Sequence, residues 1–200
     1  MTTTNLFIET ITWLAWMFAI VSLADLICGF VHWFEDNYGN EDWPFIGDSI
    51  IAPNRLHHSK PRAFTANNWW QSASVQVLAS ATVIATSLWG GWFSWGLVLL
   101  VALATNGNEI HKCSHRSRAE NGPVISWLQN CGIVQSRRHH ANHHRGQRNT
   151  HFCSITNWVN PVLDKTRFWR GLEFCIFKCT GVVPRVDPDV KPLGSDTATQ

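Results

Sequence analysis

Charge is what this 200-residue sequence has least of. Asp, Glu, Lys and Arg together make up 15% of it, against roughly 25% in soluble domains. The formal net charge of +2 is too small to imply nucleic acid as a partner. None of the six cysteines (Cys28, Cys113, Cys131, Cys153, Cys175, Cys179) belongs to a C-x2-C pair. Most fall in segments that the charge pattern assigns to the cytoplasmic side, so free thiols are expected in place of a disulfide framework. No G-x-G-x2-G fingerprint for a flavin or nicotinamide is present. There is no internal repeat and no low-complexity tract. The first apolar stretch lacks both a basic region before it and a small-residue cleavage site, and therefore reads as a retained membrane helix.

What the chain does have is apolar length, tryptophan and histidine. Hydrophobic residues make up 45% and there are 12 tryptophans, whose indoles favour the boundary between lipid and water. Phe7 to Val31 is long enough to cross a bilayer, which takes about 20 residues. Ser72 to Thr105 is too long for one ordinary span and is broken by Gly90-Gly91 beside Trp89, Trp92 and Trp95. Two helices joined by a tight turn are expected there, the second over Trp92 to Thr105, spanning or re-entrant. Ile125 to Val134 and Phe168 to Cys179 read as amphipathic pieces on the membrane surface or over the site. One crossing plus a hairpin leaves residues 32–71 and 106–200 on the same side, with every histidine and most of the arginines. The positive-inside rule assigns that side to the cytoplasm, in a bacterial inner membrane or its equivalent. The expected fold is thus an all-α integral membrane protein: one N-terminal transmembrane helix, a transmembrane or re-entrant helical hairpin, and a cytoplasmic histidine-rich helical cap. Residues 1–183 form the membrane-embedded domain, and 184–200, rich in proline and polar residues, form a disordered tail.

The ten histidines are clustered. His111-x3-His115 and His140-x2-His143-His144 have spacings that place imidazoles on one helical face, His57-His58 is an adjacent pair, and His32 stands at the end of the first apolar run. Asn108, His111 and His115 are expected on one face of the third helix. Neutral imidazole is a ligand for iron, zinc, copper or nickel. A set this large exceeds one tetrahedral zinc, so two metals are the natural reading. The Arg137-Arg138-His-His-Ala-Asn-His-His-Arg145 run alone is equally well a cationic surface for anionic headgroups or nucleic acid. A non-enzymatic metal carrier is the alternative for the array as a whole. Asp25, Gly29, His32 and Asp36 follow one helical stripe. Gly29 admits a partner helix or lipid chain, and Asp25 contacts substrate or pairs with another helix. Asp36 orients an imidazole N–H. His139 is expected behind the ligands, His151 is structural, and Cys113 is a small buried filler before it is a site residue.

ADLICGFVHWFEDNYG, IIAPNRLHH-x2-P, NEIHKCSH and SRRHHANHHRG…FCSITNWVNPVLD, in that order, resemble the Kua/CarF lipid desaturases. The resemblance runs from about Ala24 to Arg185. That family includes plasmanylethanolamine desaturases of animals and myxobacteria and the plant plastid enzyme making trans-3-hexadecenoyl phosphatidylglycerol. The resemblance implies a membrane non-haem di-iron oxygenase using O2. Two iron ions would be held by His32, His57, His58, His111, His115, His140, His143 and His144, with Asp36 as the catalytic-site carboxylate. Asp36-Asn37-Tyr38-Gly39 looks plant-type and Arg55-x-His57-His58 closer to the animal and myxobacterial form. Animal members have a further histidine where this chain has Arg148. The implied reaction is desaturation of a membrane glycerophospholipid, plasmanylethanolamine to its vinyl ether before acyl-chain desaturation or hydroxylation of a lipid such as phosphatidylglycerol. Electrons would come from a cytochrome b5 or ferredoxin-type partner.

Overall fold

The computed structural model of the protein describes residues 3–186, and among these it is helical without strands. Helix α1 (Thr3–Tyr38) is 36 residues long, about 54 Å at the helical rise, against about 30 Å of hydrocarbon in a bilayer. Its C-terminal end, which runs on beyond the first apolar stretch, carries His32 and Asp36. Much of the N-terminal part is uncovered by protein: Phe7, Trp13 and Leu14 are 63–65% exposed. Helix α3 (Trp69–Trp89) begins with Asn68 and Gln71 capping each other's backbone N–H. By length and composition α1 and α3 are, among the described residues, the two helices able to cross a membrane. The segment between them holds a π-helical turn (Gly47–Ile51), α2 (Ala52–Ser59) and a 3-10 turn (Ala63–Ala66). Pro53 in the first turn of α2 suits a position whose N–H would be unbonded in any case.

The expected hairpin turn lies at Gly90-Gly91, where Gly91 takes φ +72°, a left-handed conformation natural to glycine. Trp89 and Trp95 stand out from it, 91% and 78% exposed. Helix α4 (Trp95–Thr105) starts at Trp95, because Ser94 accepts from the Leu97 N–H as its cap. Asn108, His111 and His115 do not continue this helix, contrary to the expectation from sequence. Asn106 (φ −90°, ψ 7°) ends α4, and a separate α5 (Gly107–His115) carries all three.

Helix α6 (Arg118–Asn130) also departs from the expected Ile125 to Val134. A Ser117–Glu120 capping box starts it earlier, and it kinks at Gly122-Pro123. Short α7 (Arg137–His140) and α8 (Val159–Lys165) follow, then α9 (Phe168–Thr180), close to the expected limits. All six cysteines are free.

The apolar core is small and lies beside the C-terminal end of α1. Trp33, Phe152, Cys153, Val159 and Trp169 pack together there, with the Trp33 and Trp169 rings stacked at 5.8 Å. Each large side chain contributes about 1.5–3 kcal/mol of transfer free energy. Gly29 makes this packing possible, but its neighbour is neither a helix nor a lipid chain. A Cβ there would lie 2.5 Å from Cys153 Sγ and 3.0 Å from its backbone, so the 152–156 segment runs against α1. Asp25 fastens the same segment. It is fully buried and accepts from the N–H groups of Ile155 (2.7 Å) and Thr156 (2.9 Å) and the Thr156 hydroxyl (2.6 Å). Both expectations for Asp25, substrate contact and helix pairing, give way to a backbone anchor. Arg185, inside the expected tail, bonds the carbonyls of Gly39 (2.6 Å) and Asp36 (2.7 Å); residues 187–200 of that tail lie outside the described residues.

Candidate metal centre

All eight predicted histidines meet at the C-terminal end of α1. His57, His111, His115, His140 and His144 form one group, and His32, His57, His58 and His143 a second; in each, the candidate donor atoms lie within 4.8 Å of one another. His57 belongs to both. In the first group His111 Nε2 lies 2.8 Å from His140 Nε2 and 3.1 Å from His115 Nε2, and His144 Nε2 lies 3.0 Å from His140 Nε2. Two nitrogens bound to one ion at about 2.1 Å would sit about 3.0–3.4 Å apart, so this packing suits a shared cation.

In the second group, hydrogen bonds behind the rings decide which nitrogens face inward. A backbone carbonyl can only accept. His32 Nδ1 at 3.0 Å from Phe152 O, His143 Nδ1 at 2.9 Å from Thr150 O, and His57 Nδ1 against Asn54 O must therefore each carry the proton. Their Nε2 atoms then hold lone pairs, and all three are buried without a hydrogen-bond partner. Asp36 Oδ2, likewise without a partner, faces two of them, 3.5 Å from His32 Nε2 and 3.3 Å from His143 Nε2. Three lone-pair bearers turned toward one another with no proton between them fit a bound cation and little else. The other oxygen, Oδ1, accepts from His58 Nε2 (2.9 Å) and Asn54 Nδ2 (2.7 Å), which leaves the buried His58 Nδ1 unpartnered. Asp36 orients one imidazole, as expected, and also presents an oxygen to the group.

Five of the imidazoles outside α1 are held neutral. Burial first, and then neighbouring imidazoles, keep His57, His111 and His140 well below their ordinary value of 6.5. The same causes lower His115 to about 4 and His144 to about 2. A metal ligand must be deprotonated, and these are.

The remaining histidines stand apart. His139 lies against the His151 ring at 5.1 Å and receives the Asn160 amide at 3.3 Å, so it supports the loop and not a ligand ring. His151 pairs with Asp164 at 3.0 Å, a structural role as expected. Cys113 bonds the Glu109 carbonyl of its own helix and contributes to neither group. Several participants were not singled out from the sequence. Phe64 packs its ring 5.0–5.7 Å from those of His57, His111 and His115. Lys112 is fully buried between Glu109 (2.5 Å) and Asn67 O (2.8 Å). Asn54 had a local signal, three residues before His57, and Phe152 opens the FCSITNWVNPVLD string; Thr150 had none. A cavity of about 190 Å³ opens beside the groups, walled by Ile27, Val31, Ala79 and Ala104 and reaching His32 and His111.

A family model described as the lipid desaturase domain matches residues 21–187. The chain belongs to the lipid desaturase family. It is 31% identical over 178 residues to plasmanylethanolamine desaturase 1 of Mus musculus, covering 82% of this chain and 65% of the relative. It is 30% identical over 173 residues to plasmanylethanolamine desaturase of Myxococcus xanthus, covering 82% and 60%, and 31% identical over 166 residues to the chloroplastic fatty acid desaturase 4 of Arabidopsis thaliana, covering 82% and 51%. The match thus spans between half and two thirds of these relatives' own lengths. No solved structure matches. The two long apolar helices suit a family whose members are named for lipid substrates.

Proposed function

We propose that this chain is an O2-dependent, non-haem di-iron desaturase of a membrane glycerophospholipid, converting plasmanylethanolamine to the vinyl ether plasmenylethanolamine. The observation that carries this reading is the pair of buried histidine groups joined at His57 and opening on a cavity between membrane-length helices, lined by apolar side chains together with polar ones. His111, His115, His140 and His144 would hold one ion, and His32, His58, His143 and Asp36 the other, with His57 between them. The choice of iron over zinc or copper rests on family membership, since the donor set accepts all three. When bound, the pair would supply the activation of O2 that oxidising an unactivated C–H bond requires, chemistry that no side chain has.

The chain's own residues do the rest. The Phe152, Thr150 and Asn54 carbonyls fix three tautomers and aim three nitrogens inward. Ile27, Val31, Ala79 and Ala104 give an alkyl chain an apolar wall beside His32 and His111, in a cavity whose remaining lining is mostly polar, Glu35, Gln76 and Asn108 among it. Electrons are supplied by a cytochrome b5 or ferredoxin-type donor. The 31% identity to a fatty acid desaturase favours an acyl chain as the second substrate reading. Lipid analysis of cells with and without the gene tests both: new vinyl ether supports the first, and new acyl unsaturation the second. Unchanged lipids with altered metal uptake would instead establish a metal carrier.

A further inference from the structure

Desaturation of a saturated pair of carbons by O2 balances as R–CH2–CH2–R′ + O2 + 2 e⁻ + 2 H⁺ → R–CH=CH–R′ + 2 H2O. The two electrons must come from outside, because the sequence has no nucleotide fingerprint with which to hold its own reductant. On the side of the first histidine group, where α5, α6 and α7 meet, lies an open cleft of about 690 Å³ lined by Arg62, Arg118, Arg137, Arg138 and Arg145. No carboxylate lines it, although the chain as a whole carries 14 acidic residues against 16 basic ones. Arg62 is satisfied by Glu120 at 2.6 Å and Arg118 by Asn130 at 2.7 Å. Arg137, Arg138 and Arg145 are exposed and have no ion pair among the described residues. His115, His140 and His144 form the inner wall of the cleft. It shares no residue with the cavity beside His32 and His111.

We propose that this arginine cleft is the docking surface for an acidic one-electron carrier protein, which delivers two electrons in succession through the edges of His115, His140 and His144. The proposal rests on the desaturase reading of the histidine groups. Charge complementarity argues for it: three unpaired guanidinium groups around an opening steer an acidic surface and fix its orientation. Redox encounters of this kind use small, weak interfaces, which suits an open cleft. A lipid phosphate needs one or two cations, and the alkyl chain attached to it has its apolar wall elsewhere.

The test is turnover of alkyl phospholipid in detergent micelles by the full chain loaded with iron, using three electron sources: the soluble domain of cytochrome b5, a [2Fe–2S] ferredoxin, and dithionite with methyl viologen. The comparison is with an Arg137→Glu/Arg138→Glu double variant. The expected result is a rise of tenfold or more in KM for the protein carrier and a much weaker dependence of kcat/KM on salt, with turnover on dithionite unchanged. Unchanged KM for both carriers would overturn the proposal. A raised KM for lipid with an unchanged KM for carrier would also overturn it and make the cleft a phosphate anchor. Equal loss with all three donors would likewise overturn it, by showing damage to the metal groups. If the unaltered protein fails to turn over even on dithionite, the desaturase reading falls and the docking site with it; turnover on dithionite separates the two.

Discussion

Among single residues, His57 has the widest consequences, because it stands in both donor groups. His57→Ala is expected to bring bound iron below one ion per chain, whereas His144→Ala, confined to the first group, should leave about one. Metal analysis of the purified variants checks this. His111→Ala and His143→Ala should each abolish desaturation. His151→Ala should leave it within about threefold, since His151 contacts Asp164 and not the groups. The neutral imidazoles also set a pH dependence. An unfolded chain takes up protons below roughly pH 6.5, whereas His57, His111 and His140 refuse them until far lower, His115 until about 4 and His144 until about 2. The stability these groups contribute is therefore complete above pH 6.5 and lost as pH falls below it. The loss is up to about 1.4 kcal/mol per pH unit for each histidine. Urea midpoints of the metal-free protein should drop between pH 6.5 and 5 and stay level between 7 and 8. Of the histidines spaced i, i+3 or i, i+4, only His111 and His115 share one helix, because α7 ends at His140 and the turn after it sends His143 to the second group and His144 to the first. The eight histidines themselves were legible in the sequence by residue type and clustering. The carbonyls of Thr150 and Phe152 were not, since any residue supplies a carbonyl and only the path of the chain selects which.

At the scale of elements, Asp25 and the 152–156 segment hold the second group in register. Asp25→Ala leaves two buried N–H groups and a hydroxyl without an acceptor, a cost of about 3 kcal/mol or more. It also frees the segment whose Phe152 carbonyl sets the His32 ring. Denaturant titration should register the first effect and a fall in iron content the second; Asp25→Ala with wild-type iron and stability would show that the anchor is dispensable. Gly29→Val should act in the same direction by driving a side chain into Cys153. The helical stripe from Asp25 to Asp36 was readable from sequence, but its partner was not: an irregular segment has no periodicity, so it leaves no pattern to find. The same limit explains the α4–α5 junction. Nothing in the apolar run before Asn106 announces a break, and only the backbone at that residue makes one.

For the whole molecule, the charge asymmetry of the sequence predicts sidedness. A reporter fused after Gln200 is expected to behave as cytoplasmic, and one inserted at Gly90 as external if α3 crosses fully. Helix α4 has 11 residues, about 16 Å of rise, so the return from Gly90 cannot be completed by α4 alone. An external signal at the C-terminus would place the histidine groups on the opposite face from the one the charge pattern predicts. The all-helical architecture and the long first helix were legible because apolar length and period are local properties. The assembly of the site was not, because its ties run far along the chain. Those ties also impose a schedule. Asp25 meets the N–H groups that donate to it only at residues 155 and 156, and His32 its carbonyl 120 residues later. At a synthesis rate of about 5–20 residues per second, the first helix waits on the order of 6–25 seconds with a carboxylate at the edge of the membrane and nothing to receive it. For that interval the newborn protein is unable to close its second donor group, and a ribosome stalled before residue 150 should display a chain that is inserted, helical and unable to retain metal there.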